Sequence, residues 1–83
     1  MNYTLITGAC KGIGKALAYE CASRKMNVLL VSNDHDCLQS VCDDIRRTKG
    51  VESYCFTIDL MENDAPEQVY QWVQRNRYRV NIL

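Results

Sequence analysis

Eighty-three residues amount to one small domain at most, able to bury about 60–65% of the surface its unfolded chain exposes. Ten basic residues balance ten acidic ones, and this zero net charge argues against a nucleic-acid partner, whose domains carry a basic excess. Apolar runs such as Val28–Val31 fall far short of the roughly 20 residues a membrane span needs, and Met1-Asn2-Tyr3-Thr4 lacks the basic start of a signal peptide, so no membrane partner and a cytoplasmic protein are expected.

The elements read clearly in chain order. Tyr3-Thr4-Leu5-Ile6-Thr7 is a β-rich run that stops at Gly8, and a glycine-bearing turn follows to Gly14. Ile13, Ala16, Leu17, Cys21 and Ala22 recur at helical spacing, which predicts a helix to about Lys25. Val28-Leu29-Leu30-Val31 is a continuous apolar run, as expected of a strand buried on both faces of a parallel sheet. A second helix carries Leu38, Val41, Cys42 and Ile45, with Asp34 or Asp36 as candidate cap and Gly50 as its stop. Tyr54–Ile58 is a third strand. Asp64, Pro66 and Glu67 open a third helix whose apolar stripe is Val69, Trp72 and Val73, and Val80–Leu83 is a short fourth strand.

Strands alternating with helices of about 10–14 residues predict βαβ units and a parallel sheet. Right-handed crossovers put the first two helices on one face when the first three strands step in one direction. A fourth strand on the other side of the first then sends the third helix to the opposite face. The predicted fold is therefore α/β, the first half of a doubly wound parallel sheet with strand order 3-2-1-4, including its switch point. The far edge of the fourth strand would be bare and one face would carry a single helix, so residues 1–83 are expected to be a fragment truncated after the fourth strand.

The five cysteines, Cys10, Cys21, Cys37, Cys42 and Cys55, form no Cys-x-x-Cys pair, and His35 is the only histidine. No metal site is predicted from that spacing. All five thiols are expected to be reduced, most of them acting as small hydrophobes.

The sharpest chemical signal is Thr7-Gly8-Ala9-Cys10-Lys11-Gly12-Ile13-Gly14, placed directly after a strand and opening a helix. Gly8 suits a tight turn, Gly12 leaves backbone free to approach a pyrophosphate, and Gly14 lets the helix pack on the sheet. The helix N-terminus offers unpaired N–H groups and a partial positive charge to the anion. A Walker-type phosphate loop fails on spacing, because it needs glycine at Ala9 and a hydroxyl residue at Ala16. A purely structural turn is the plain alternative.

This motif resembles the cofactor signature of the short-chain dehydrogenases/reductases, and the resemblance extends to Asp59-Leu60 after the third strand and to Val80-Asn81-Ile82-Leu83 as the fourth. It implies a Rossmann-like fold whose N-terminal, cofactor-binding half is residues 1–83. Gly8, Gly12 and Gly14 would form the dinucleotide turn with Ile13 near the nicotinamide end. Asp59 would meet the adenine amino group, with the Leu60 backbone beside it. Lys11 matches the basic residue that favours a 2′-phosphate, and Ser32 stands where NAD-preferring relatives carry Asp, so NADP(H) is favoured over NAD(H). Asn33 stands where many NADP-users have Arg, which removes a charge-assisted contact. Cys10 occupies a place where relatives often have Ser; it reads as a small Ser-like residue, with redox gating by a helix-terminal thiol as the sharper alternative.

The family's Tyr-x-x-x-Lys pair is absent, since none of Tyr3, Tyr19, Tyr54, Tyr70 and Tyr78 has a lysine four residues on. No catalytic residue is therefore assigned in this chain. The resemblance implies an oxidoreductase parent that moves a hydride between nicotinamide and a carbonyl or alcohol substrate, and a homo-oligomer at full length. A stand-alone, non-catalytic dinucleotide-binding or regulatory module is the alternative, and a βαβ remnant that binds nothing is a third reading.

Overall fold

The computed structural model describes residues 2–82, and their side chains through residue 80. Seven elements alternate: β1 (Asn2–Thr7), α1 (Gly12–Ser23), β2 (Asn27–Ser32), α2 (His35–Lys49), β3 (Ser53–Thr57), α3 (Ala65–Arg75) and β4 (Arg79–Ile82). All pairings are parallel and the strand order is β3-β2-β1-β4, the order deduced from the crossover rule. Leu83, the predicted end of the fourth strand, lies outside the described residues. Among the described residues no helix is long and apolar enough to cross a membrane.

Strand alternation sorts the core into two layers. Ile6, Val28 and Leu30 join Ala18, Cys21 and Ala22 of α1 and Leu38, Val41, Cys42 and Ile45 of α2. Leu29 and Val31, one residue out of step, meet the α3 side with Val69, Val73 and the half-buried Trp72. Trp72 stacks on Phe56 with ring centroids 5.1 Å apart, so it belongs to the core, as its place on the apolar stripe predicted.

α2 follows its predicted register without a shift. Asp34 caps it by accepting from the Cys37 amide at 3.1 Å, and Gly50 ends it in the left-handed region at φ 69°. α1 does not. Ala18, Cys21 and Ala22 are its buried residues, while Ile13 is 80% exposed and Leu17 39%. The contact line is rotated by one residue because Gly14, not Ile13, lies against the turn: a Cβ on Gly14 would sit 2.0 Å from the Gly8 carbonyl oxygen.

Between the two helices on that face, the Tyr19 hydroxyl donates to the Asp44 carboxylate at 2.5 Å. This bond, then burial, pushes the Tyr19 phenol from 10.0 up to about 12. The proton is held more tightly in the fold than in the unfolded chain, so the bond contributes fully below pH 10 and is lost as pH rises through about 12. Thermal melts between these limits should show a smaller alkaline loss of Tm in Tyr19→Phe than in the parent; equal losses would assign no folding role to the bond.

Candidate dinucleotide site

The site forms where the C-terminal ends of β1, β2 and β3 meet the turn into α1. Gly8 and Gly12 both take positive φ, 62° and 58°, and at either position a Cβ would meet nothing within 4 Å. The turn is therefore open on the side where side chains would otherwise stand. It is tied back to the sheet by the Ala9 amide, which donates to the Val31 carbonyl at 3.3 Å.

α1 begins without protein help. Its N-cap residue, Lys11, is extended at φ −141° and ψ 156° and makes no side-chain cap, and no acidic residue lies in its first turn. The first amides of a helix need acceptors, and the aligned dipoles concentrate positive charge there. α2 meets that need with Asp34 and Asp36. At α1 those amides stay open to solvent or to an incoming anion.

Two adjoining cavities, about 220 Å³ each, border the turn. Gly8, Ser32 and Asn33 line both. One extends past Ile58, Asp59, Leu60 and Met61. The other extends past Cys10, Lys11 and Asp34. The fold thus brings Gly8, Cys10, Lys11, Ser32, Asn33, Asp59 and Leu60 to one crevice. Gly12 and Gly14 sit at the base of α1 beside it, while Ile13 stands out in solvent.

Ser32 is buried on the crevice floor, where its Oγ accepts from the Asp34 amide at 3.4 Å. Asp59 is exposed, and one of its carboxylate oxygens accepts from the Met61 amide at 2.9 Å. That bond fixes the loop after β3 and is the local role a loop aspartate would have without any ligand. Met61, 89% exposed at the crevice, was not singled out from the sequence; a large apolar residue directly after Asp59-Leu60 was its only signal.

The expectation of five reduced thiols fails at one pair. Cys10 and Cys37 are joined as a disulfide, with Cα atoms 5.9 Å apart, while Cys21, Cys42 and Cys55 are free. Parallel pairing of β1 with β2 sets the turn after β1 beside the first turn of α2, so residues 27 apart in sequence become neighbours. Asp34 completes a grouping with these two sulfurs, all ligand atoms lying within 4.8 Å. With the sulfurs bonded to each other, only the Asp34 carboxylate retains ligating capacity.

Comparison with known proteins agrees with this geometry. Residues 2–83 match the model of the short chain dehydrogenase family. Human 17-beta-hydroxysteroid dehydrogenase type 3 is 36% identical over 68 residues, covering 82% of this chain and 22% of that protein. The 7beta-hydroxysteroid dehydrogenase of Clostridium sardiniense is 37% identical over 70 residues, 84% of this chain and 27% of that protein. The human inactive hydroxysteroid dehydrogenase-like protein 1 is 42% identical over 59 residues, covering 71% of this chain and 18% of its own. Among solved structures, an alcohol dehydrogenase from Thermococcus sibiricus complexed with 5-hydroxy-NADP superposes with a TM-score of 0.90 at 25% identity, over 99% of this chain and 35% of that one. A short-chain dehydrogenase from Sphingobium yanoikuyae in complex with NADPH gives 0.84 at 26% identity, over 95% and 31%. The chain therefore spans roughly a fifth to a third of the length of these relatives.

Proposed function

Because the chain belongs to the short-chain dehydrogenase family, we propose that it is the cofactor-binding part of an NADP(H)-dependent oxidoreductase acting on a carbonyl or alcohol substrate. The observation that carries this reading is the uncapped N-terminus of α1 behind a turn whose two positive-φ glycines face open space. A pyrophosphate there would accept from the orphan amides and sit at the positive end of the dipole. Gly8, Gly12 and Gly14 form the turn, with Ile13 directed toward the nicotinamide end. Asp59 and Leu60 would hold the adenine, and Ser32, Asn33, Cys10 and Lys11 the ribose and its 2′-phosphate. The nicotinamide, when bound, supplies or takes up the hydride.

NADP(H) is favoured over NAD(H) because Ser32 offers no carboxylate to repel a phosphate and Lys11 adds a cation at the crevice. Two relatives in the comparison were solved with NADP-type cofactors, which supports the same reading. A homo-oligomeric parent belongs to this proposal as well. The second reading, a module that binds dinucleotide without catalysing, draws on the relative named inactive. Cofactor turnover with carbonyl substrates separates the two.

The test is direct titration of NADPH. Gly12→Ala should weaken binding tenfold or more, since a methyl enters the open face and positive φ costs an L-residue about 1–2 kcal/mol. Gly50→Ala, at φ 69° on the far end of α2, carries the same backbone cost away from the crevice. It should lower stability and leave NADPH affinity unchanged. Equal affinity in the Gly12→Ala protein and the parent would remove the dinucleotide reading.

A further inference from the structure

We propose that Cys10 and Cys37 form a reversible disulfide that raises the affinity of the adjoining crevice for its dinucleotide. This inference rests on the dinucleotide reading above. The bond ties the glycine turn, one wall of a cavity, to the first turn of α2, whose capping residue Asp34 also lines that cavity. Cys10 belongs to the glycine turn and lines the pocket with Lys11, Ser32, Asn33 and Asp34. Cys37 sits in the first turn of α2, anchored by the Asp34 cap and followed by the fully buried Leu38. The Cα separation of 5.9 Å lies within the range that a disulfide spans without backbone movement.

The two ends differ in rigidity. α2 is a capped helix packed on the sheet, whereas the turn contains two glycines at positive φ, the residue type with the most backbone freedom to lose. Binding to the reduced protein must order that turn. The disulfide holds it against α2 with the cavity already formed, so less freedom is lost when the ligand arrives.

The chemistry balances with a small-molecule disulfide such as oxidised glutathione. Cys37 is the more accessible of the two, Cys10 being 5% exposed. The Cys37 thiolate attacks one glutathione sulfur and expels the first glutathione as thiolate. The Cys10 thiolate then attacks the Cys37 sulfur of the mixed disulfide and expels the second. Two protein thiols are oxidised, one glutathione disulfide is reduced to two glutathione thiols, and reduced glutathione in excess reverses both steps. The remaining thiols stand apart: Cys21 and Cys42 are buried, and burial followed by the neighbouring Cys42 pushes Cys55 up to about 11, which keeps it protonated.

The experiment equilibrates the purified protein with reduced or oxidised glutathione, maps the linkages by mass spectrometry without reduction, and titrates NADPH into both forms. The expected result is a Cys10–Cys37 linkage in the oxidised sample and an affinity about three- to tenfold tighter than in the reduced one. Cys37→Ser should bind NADPH like the reduced parent in either buffer. Free Cys10 and Cys37 after oxidation, or equal or weaker binding by the cross-linked form, would overturn the proposal. Binding of NADPH that ignores redox state sinks the switch alone; absence of NADPH and NADH binding in both states sinks it together with the dinucleotide reading.

Discussion

Gly14→Ala should remove a large share of the protein's stability. A methyl group at that position would stand 2.0 Å from the Gly8 carbonyl oxygen, 2.7 Å from its carbon and 3.1 Å from the Thr7 carbonyl oxygen. All three are backbone atoms, so no rotamer change relieves the contact. The start of α1 must move off the end of β1 or the turn must open. Overpacking in cores costs about 1–3 kcal/mol and more where backbone has to shift, and this contact belongs at or above the upper end. A chain of this length has roughly 4–12 kcal/mol of stability in total. The half-buried Trp72 reports unfolding by fluorescence in a urea series. The midpoint should fall steeply relative to the parent, and further than in Gly50→Ala, which carries only a backbone strain. A midpoint equal to the parent's would mean that α1 does not approach the turn this closely.

Ser32→Asp should reverse the proposed preference for NADP(H). Ser32 closes the crevice floor with its hydroxyl 3.4 Å from the Asp34 amide, and an aspartate carboxylate can keep that donor while presenting its second oxygen to the ribose. Toward NADH the new group gains acceptor contacts with the ribose hydroxyls. Toward NADPH bound as proposed, it would face the 2′-phosphate. Like charges about 5 Å apart at an effective dielectric near 20 repel by about 3 kcal/mol, a factor of roughly 10² in affinity. The ratio of the two dissociation constants, taken from parallel titrations, should shift by about that factor in favour of NADH. Lys11 remains in place in this variant, so the shift isolates the floor of the crevice from its rim. An unchanged ratio would place the adenosine ribose away from Ser32.

How far these positions were readable beforehand depended on what sets each of them. The apolar stripe and the stop of α2 were legible, because one periodic stripe packs on one sheet face and a C-terminal glycine is local chemistry; its cap stayed open between Asp34 and Asp36, and the structure shows Asp34. The strand order was legible because short connections and crossover handedness leave few layouts. The contact face of α1 was misread: Ile13 and Leu17 look like core by hydropathy, but the approach of Gly14 to Gly8 rotates the helix and turns them outward. Hydropathy cannot register a contact made by a missing side chain. The Cys10–Cys37 bond was invisible for another reason, since the two residues become neighbours only through the pairing of β1 with β2. Asp59 lines the crevice, and its bond to the Met61 amide is a short-range feature that no spacing announces.

The strand order also dictates a sequence of events during folding. β1, which precedes the other three strands in chain order, ends up in the interior of the four-stranded sheet, where Tyr3 pairs with Asn27 on one side and with Val80 on the other. The pairing with β2 closes a modest loop, but the pairing with β4 brings Tyr3 to Val80 across all the intervening elements. Closing that longer loop forfeits more chain entropy before any contact compensates for it. β1, β2 and β3 can therefore assemble with α1 and α2 while one flank of β1 still presents open N–H and C=O groups to solvent. Until β4 docks, these three strands carry an open, sticky edge, and that interval exposes them to misassembly.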